Sequence, residues 1–187
     1  MRKLSVFNTV SLDGYFTGQN NDLSWAHRDR NDAEWNEFVG GNASGNGVIL
    51  FGRVTYEMMA SFWPSPQAAQ MMPVVAKGMN RSEKVVFSKT LSKANWNNTT
   101  LVNGNLADEV RKLKQQPGNG MVILGSGKIV AQLTQEGLID EYQIVIAPIV
   151  IGRGRTLFEG VQRHAGLKLV KSRVFQNGCV FLTYVLQ

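Results

Sequence analysis

The stretch from Met121 to Ile151, which reads MVILGSGKIVAQLTQEGLIDEYQIVIAPIVI, limits the possible folds more than any other part of the chain. It opens with a short apolar run that is not long enough for a helix, and Gly125-Ser126-Gly127 follows at once. After this triplet the apolar residues lie three and four positions apart, which is the spacing of one helix face: Ile129, Val130 and Leu133. The order predicts a strand, a glycine turn and a helix.

The end of the same stretch predicts a second buried strand. Gly137 stands where a left-handed glycine commonly ends a helix. The run from Tyr142 to Ile151 is rich in β-branched residues and apolar on both faces, as a fully buried strand is. Strand, glycine turn, helix and strand together form a βαβ unit, so we expect an α/β fold with parallel strands.

The turn formed by Gly125, Ser126, Gly127 and Lys128 predicts anion binding. Glycines let the backbone approach a ligand closely, and the first N–H groups of a helix are unpaired donors. Two stricter motifs are not met, because Val130 stands where the dinucleotide fingerprint needs a small residue and Ile129 stands where the triphosphate-binding loop needs a hydroxyl. The alternative interpretation is a tight connection that binds no ligand.

A second strand end repeats this arrangement. The apolar run Val48 to Phe51 leads into Gly52-Arg53-Val54-Thr55, and the helix that follows has apolar residues on one face: Tyr56, Met59, Ala60 and Trp63. A guanidinium at the start of a helix is electrostatically unfavourable unless an anion offsets it. Arg53 therefore indicates a second anion site, and its planar group suits phosphate. The alternative is an ordinary surface arginine.

Polar residues follow other predicted strands as well. The strand Lys3 to Val10 is followed by Asp13-Gly14, and Asp13 is either a turn residue or a carboxylate at the ligand-binding edge of the sheet. The strand Lys84 to Phe87 is followed by Ser88-Lys89, a hydroxyl and a cation. A helix is predicted from about Asp32 to Val39, in which Asp32 is either an acidic first-turn residue or a proton-relay carboxylate.

The remaining segments predict a mixed sheet. Three prolines between residues 64 and 73 predict a loop with at most a short helix, and Asn105 predicts the cap of a purely structural helix. From Leu167 the chain predicts an antiparallel hairpin with a type I′ turn at Asn177-Gly178. An antiparallel hairpin after βα units makes the sheet mixed.

Composition narrows the classes of function. With 187 residues, 43% of them hydrophobic, we expect residues 1–187 to form a single domain. No apolar run approaches the roughly 18 residues of a membrane span, and the single cysteine favours a reducing, cytoplasmic location. With one cysteine and two histidines we expect no zinc site. The net charge of +6 is spread along the chain, which favours anionic small molecules over nucleic acid.

Five motifs in order carry a family resemblance. They are Ser11-Leu12-Asp13-Gly14, Phe51-Gly52-Arg53-Val54-Thr55-Tyr56-Glu57, Lys84-Val85-Val86-Phe87-Ser88-Lys89-Thr90-Leu91, Leu124-Gly125-Ser126-Gly127 and Pro148-Ile149-Val150-Ile151-Gly152-Arg153-Gly154. The chain resembles the dihydrofolate reductase-like superfamily over nearly its whole length. Within it, the chain most resembles the C-terminal reductase domain of the bifunctional riboflavin-biosynthesis enzyme and its stand-alone bacterial relatives. The zinc-containing deaminase part of the bifunctional enzyme has no counterpart here.

The resemblance implies a fold and a cofactor. The fold would be a three-layer αβα arrangement with a mixed, mainly parallel sheet that ends in an antiparallel hairpin, and the cofactor would be NADPH. Gly125, Ser126, Gly127 and Lys128 would hold its diphosphate, and Arg53, Ser88 and Lys89 its 2′-phosphate. The implied cofactor site also includes Val10, Gly52, Val54 and Thr55. Asp13 would border the nicotinamide. Asp32 would lie roughly where dihydrofolate reductases have the carboxylate that contacts the substrate, so both residues are predicted to be catalytic.

The implied activity is hydride transfer from NADPH to a pteridine, pyrimidine or similar heterocycle. Its most specific version is the reduction of 5-amino-6-(5-phosphoribosylamino)uracil, and an NADPH-dependent reductase with another heterocyclic substrate is the equal alternative. The rival is a non-catalytic nucleotide- or RNA-binding protein on the same scaffold. For the enzyme we expect a small-molecule substrate, and we expect no binding to nucleic acid or to a membrane. We also expect a homodimer that uses the C-terminal hairpin and the turn from Gly152 to Phe158.

Overall fold

The structure, a computed structural model, describes residues 1–29 and 31–187, and within them it contains ten β-strands and six α-helices. None of these helices is long and apolar enough to cross a membrane. The strands are β1 (Leu4–Ser11), β2 (Tyr15–Thr17), β3 (Val48–Gly52), β4 (Lys84–Phe87), β5 (Thr99–Val102), β6 (Met121–Leu124), β7 (Glu141–Ala147), β8 (Arg155–Thr156), β9 (Leu167–Val174) and β10 (Val180–Leu186). The helices are α1 (Ala33–Ala43), α2 (Arg53–Phe62), α3 (Pro66–Met71), α4 (Pro73–Arg81), α5 (Leu106–Gln115) and α6 (Gly127–Gln135).

Eight strands form one sheet in the order β5-β4-β3-β6-β1-β7-β10-β9. The first six strands in this order, β5-β4-β3-β6-β1-β7, are parallel to one another. At the centre, Val6 of β1 lies beside Ile123 of β6 and Tyr142 of β7. Strand β10 runs antiparallel to both β7 and β9. The predicted mixed, mainly parallel sheet with a C-terminal antiparallel hairpin is confirmed. All the parallel strands end at one side of the sheet, which we call the carboxyl edge.

Helices cover both faces of the sheet, because successive side chains of a buried strand point in opposite directions. On β3, Val48 and Leu50 pack with residues of α5 and α6 such as Val110 and Leu133. The alternate residues of the same strand pack with α1, α2 and α4 on the opposite face. The three-layer αβα arrangement is therefore confirmed, and the apolar run that makes up β3 is explained by burial on both faces.

Helix α1 is fixed between the hairpin and α4. The ring of Phe38 lies 4.9 Å from the rings of both Phe175 and Phe181, centroid to centroid. At its end, α1 approaches α4 so closely that a Cβ atom on Gly78 would collide with the carbonyl oxygen of Ala43. Aromatic packing and this glycine contact together set the distance between α1 and the sheet.

Two predictions about helices were wrong. Helix α1 does not stop at Val39 but continues through Gly40 and Gly41 to Ala43, because burial against α4 offsets the low helix propensity of glycine. The proline-rich segment is helical rather than a loop. Pro66 and Pro73 each occupy the first position of a helix, α3 and α4, where proline's missing N–H costs nothing.

Predictions about strand ends were also partly wrong. Strand β7 ends at Ala147, four of its seven residues are only partly buried, and Val150 is 67% exposed, so the run to Ile151 is not one fully buried strand. The hairpin is confirmed but its turn is not type I′, since Gly178 has a φ of +82° while Asn177 has no positive φ. The small antiparallel pair β2–β8 was not predicted.

Candidate functional site

The two predicted anion-binding turns touch each other at the carboxyl edge. They follow β3 and β6, which are neighbouring strands. The backbone amide of Gly52 donates a hydrogen bond to the Ser126 hydroxyl oxygen at 2.8 Å. In return, the amide of Ser126 donates to the Thr55 hydroxyl oxygen at 3.1 Å. One extended molecule can therefore contact the start of α2 and the start of α6 at the same time.

The backbone of the second turn leaves the start of α6 open to an anion. Gly125 and Ser126 both adopt the left-handed conformation, with φ values of +60° and +57°. A Cβ on Gly125 would lie 3.0 Å from Thr55, so the close approach of the two turns also requires glycine. Ser126 does not cap its own helix, because its hydroxyl is directed to Gly52. The amides of Gly127 and Lys128 are thus the free donors at the positive end of the helix dipole.

A large cavity of about 1330 Å³ contains these turns. Single small-molecule sites commonly measure about 300–1,000 Å³, so this volume suits a dinucleotide together with a second ligand. The cavity continues from the carboxyl edge along the face of the sheet covered by α1. Every predicted cofactor-binding residue except Val10 lines it, namely Gly52, Arg53, Val54, Thr55, Ser88, Lys89, Gly125, Ser126, Gly127 and Lys128. Val10 instead packs against the core beside α6.

Four cations line the cavity near the carboxyl edge: Arg53, Lys89, Lys128 and Arg155. Among the described lining residues, Glu141 is the one carboxylate, and it lies at the start of β7, away from that edge. Arg155 donates to the side-chain oxygen of Asn21 at 2.6 Å, and its guanidinium lies 5.4 Å from the centre of the Phe16 ring. This charge distribution favours an anionic ligand at the carboxyl edge.

Arg53 already has an acidic partner on its own helix. Its Nη1 atom pairs with Glu57 one helical turn away at 2.9 Å, and both side chains are nearly half exposed. The positive charge at the start of α2 is therefore already partly offset within the helix. An exposed pair of this kind contributes only about 0.3–0.5 kcal/mol, so a phosphate would still find the rest of the guanidinium available.

The loop after β4 presents Lys89 to the cavity. The Ser88 hydroxyl oxygen accepts hydrogen bonds from the amides of Thr90 at 3.1 Å and Leu91 at 2.9 Å. These bonds close a tight turn around Lys89, and Ser88, Lys89 and Thr90 all line the cavity. Ser88 therefore shapes the loop and also faces the ligand space.

Asp13 is hydrogen-bonded to a distant segment of the chain. It does not line the cavity. Its carboxylate accepts hydrogen bonds from the amides of Gly152 at 2.7 Å and Ile151 at 3.2 Å. The Ser11 hydroxyl and these two amides hold the pKa of Asp13 below its ordinary value. The carboxylate thus ties the loop after β1 to the loop after β7, and its catalytic role stays a prediction.

Asp32 is also engaged elsewhere. One carboxylate oxygen accepts from the amide of Trp35 at 2.9 Å and so caps α1. The other accepts from the Asn177 side chain at 2.7 Å, which joins α1 to the hairpin turn. Asp32 does not line the cavity, so of the two alternatives the structural role at the helix start is the observed one.

Two buried polar residues that were not among the predicted site residues line the cavity. Asn8 and Thr17 are only 6% and 5% exposed, and both line the cavity. The Asn8 side-chain nitrogen and the Thr17 hydroxyl have no hydrogen-bond partner within the described part of the chain. One signal was available: Asn8 continues the alternation of Leu4 and Val6, so a polar residue occupied a position predicted to be apolar.

Comparison with known proteins gives matches over almost the whole chain. The family model described as the RibD C-terminal domain matches residues 2–181. The uncharacterized protein YyaP of Bacillus subtilis (strain 168) is 29% identical over 183 residues, which cover 98% of this chain and 94% of that protein. The uncharacterized protein YwjB of the same organism is 26% identical, with 98% of each chain covered.

Solved structures share the fold. A protein of Shewanella sp. PV-4, whose name assigns it to riboflavin biosynthesis, has a TM-score of 0.76 and 24% identity, with 99% of each chain covered. Dihydrofolate reductase from Enterococcus faecalis, solved with NADP(H), has a TM-score of 0.65 and 14% identity, with 99% of this chain and 96% of that chain covered. A pyrimidine reductase-like protein of Corynebacterium diphtheriae has a TM-score of 0.61 and 14% identity, with 100% and 92% covered. At these identities the likeness concerns the fold.

Proposed function

Because this chain belongs to the RibD C-terminal domain family, we propose that it is a reductase that uses NADPH. The cofactor would supply hydride to a polarised C=N or C=O bond of a pteridine, pyrimidine or similar heterocycle. The protein would bind and orient both molecules and exclude water from the space between them. The most specific version of the proposal is reduction of 5-amino-6-(5-phosphoribosylamino)uracil.

The contact between the two turns carries this proposal. The Gly52 amide and the Ser126 hydroxyl are hydrogen-bonded, so a diphosphate at the start of α6 lies next to the start of α2. There Arg53, Ser88 and Lys89 line the same cavity and would hold a phosphate on the adenosine ribose. This cationic group supports a preference for NADPH over NADH.

The other half of the cavity suits an uncharged ring. Between α1 and the sheet it is lined by apolar side chains that include Phe7, Val39, Met59 and Trp63. Such a surface binds a planar heterocycle by burial, with little contribution from charge. Since Asp13 and Asp32 are engaged outside the cavity, the proton that accompanies the hydride comes from water or from a lining side chain such as His27.

Titration of NADPH and NADH against the intrinsic fluorescence tests the cofactor assignment, and Trp63 in the cavity wall provides a signal. Loss of charge-assisted hydrogen bonds to a phosphate changes affinity by about 10- to 100-fold, so NADPH should bind that much more tightly than NADH. Arg53→Ala should remove most of this preference, because it should lower the affinity for NADPH and not that for NADH. Arg111→Ala is the matched control, because Arg111 is equally exposed and also paired on its own helix.

Two results would contradict the proposal. One is equal affinity of the wild-type protein for NADPH and NADH. The other is a salt-sensitive affinity for single-stranded RNA without any cofactor preference, which would favour the nucleic-acid-binding rival. The substrate is tested separately, by incubation with NADPH and 5-amino-6-(5-phosphoribosylamino)uracil or a reducible pteridine while the absorbance of NADPH is followed.

A further inference from the structure

Two buried polar groups in the cavity lack partners. The Asn8 side-chain nitrogen and the Thr17 hydroxyl are both without a hydrogen bond in the described residues, and both residues are more than nine-tenths buried. A buried polar group that is left unsatisfied destabilises the protein. Because both residues line the cavity, a bound ligand can supply the missing partners.

Asn8 and Thr17 line the same cavity as the start of α6, and Asn8 lies beside Gly125, because Phe7 of β1 pairs with Leu124 of β6. The chain reverses after β1, where the amide of Tyr15 donates to the Ser11 hydroxyl oxygen at 3.0 Å, so that β2 carries Thr17 back beside β1. The intervening Phe16 packs on the start of α6, where a Cβ added to Gly127 would lie 2.5 Å from its ring. The nicotinamide of a dinucleotide with its diphosphate at Gly127 would therefore enter the part of the cavity that Asn8 and Thr17 line.

The chemistry of this pair is that of amide recognition. An asparagine nitrogen donates to a carbonyl oxygen, and a threonine hydroxyl oxygen accepts from an NH₂ group. Both side chains are uncharged, so the pair does not favour a phosphate. A carboxamide carries one acceptor and one donor side by side, and so it satisfies both groups at once.

We propose that Asn8 and Thr17 bind the carboxamide of the nicotinamide ring. The Asn8 side-chain nitrogen donates to the carboxamide oxygen, and the Thr17 hydroxyl oxygen accepts from the carboxamide NH₂ group. The inference rests on the proposed function, since it assumes that the cavity binds NADPH. These contacts fix the rotation of the ring and thereby select which of its faces is offered to the substrate on the α1 side. Asn8 and Thr17 are cofactor-positioning residues in this arrangement.

Two nearly isosteric variants, Asn8→Leu and Thr17→Val, test the proposal with two ligands. NADPH carries the carboxamide, whereas 2′-phospho-ADP-ribose has the same phosphates and lacks nicotinamide. Each variant should lower the affinity for NADPH about tenfold and leave the affinity for 2′-phospho-ADP-ribose unchanged. Without ligand, Asn8→Leu should unfold at the same temperature as the wild type or higher, because it removes an unsatisfied buried donor.

An acetylpyridine analogue of NADPH, which keeps the carbonyl oxygen and lacks the NH₂ group, separates the two roles. With this analogue Thr17→Val should have no effect, while Asn8→Leu should still weaken binding. Unchanged NADPH affinity in both variants overturns the inference, and so does an equal loss for NADPH and 2′-phospho-ADP-ribose. If the wild-type protein binds neither ligand, the proposed function fails as well, and this result is distinct from the other two.

Discussion

The Gly52 amide donates to the Ser126 hydroxyl oxygen at 2.8 Å, although 74 residues separate them in the chain. Ser126 holds a left-handed backbone conformation, with a φ of +57°, which is uncommon for a residue with a side chain. A strained residue whose side chain joins two loops at a cavity is typical of a functional position. This hydrogen bond and the reciprocal one from the Ser126 amide to Thr55 join the two predicted anion-binding turns into a single surface.

Replacement of Ser126 tests the importance of this link. Ser126→Ala and Ser126→Gly both remove the acceptor of the Gly52 amide, and each should weaken NADPH binding. The alanine variant should be the less stable of the two by about 1 kcal/mol, because only glycine adopts the left-handed conformation without strain. Chemical denaturation measures the difference, and equal stability of the two variants would contradict the strained conformation.

Gly127 should tolerate no side chain. Gly127→Ala places a Cβ 2.5 Å from the Phe16 ring, so overpacking should destabilise the protein by about 1–3 kcal/mol despite alanine's higher helix propensity. The smaller side chain of Phe16→Leu should recover part of the loss in the double variant. Thermal unfolding of both single variants and the double variant gives the coupling energy, and strict additivity would show that the two residues do not interact.

Lys84 should make stability depend on pH. It is 1% exposed, its ammonium donates to the carbonyl oxygens of Met79 at 2.8 Å and Ser82 at 2.6 Å, and burial lowers its pKa from 10.5 to about 8. Between these two values the unfolded chain binds more protons than the folded one, so stability should rise with pH across that interval. Denaturation at several pH values should show this rise in the wild type. Lys84→Met should lack it, and identical profiles would disprove the shift.

The edge strand β9 should form a dimer contact. Leu169 and Val174 are 48% and 73% exposed, and they share a face because their partners on β10, Tyr184 and Val180, lie four residues apart. Light scattering should give about twice the chain mass of 20.7 kDa for the wild type. Leu169→Lys together with Val174→Lys should give a monomer, while the control Lys168→Ala, which lies on the other face of the strand, should not. A wild-type mass near that of one chain would reject the homodimer.

Local patterns were enough to predict the parallel half of the fold. Strands β3 and β6 have apolar runs that end in glycine, and α2 and α6 follow with residues three and four positions apart, so each unit was visible within one short window. Because parallel strands end at one edge, the prediction that Arg53, Lys89 and Lys128 share a surface followed from the element order. The structure places all three on one cavity.

The roles of the acidic residues were not visible in this way. The partners of Asp13 are amides more than a hundred residues away, at Ile151 and Gly152, and Asp32 bonds to Asn177 in the hairpin turn. No short window of sequence contains both members of such a pair. The same limit applies to Thr17, because its strand β2 pairs with β8, a strand of two residues more than a hundred positions away.

The glycine contact between α1 and α4 has a consequence for the size of the molecules that the protein can accept. Gly78 lets the end of α1 rest directly on the backbone of α4, and α1 forms one wall of the apolar half of the cavity. A methyl group at position 78 would push that wall outward. Variants with alanine or serine there should admit bulkier rings, so the residue at this position would help to set the width of the ligands that the cavity accepts.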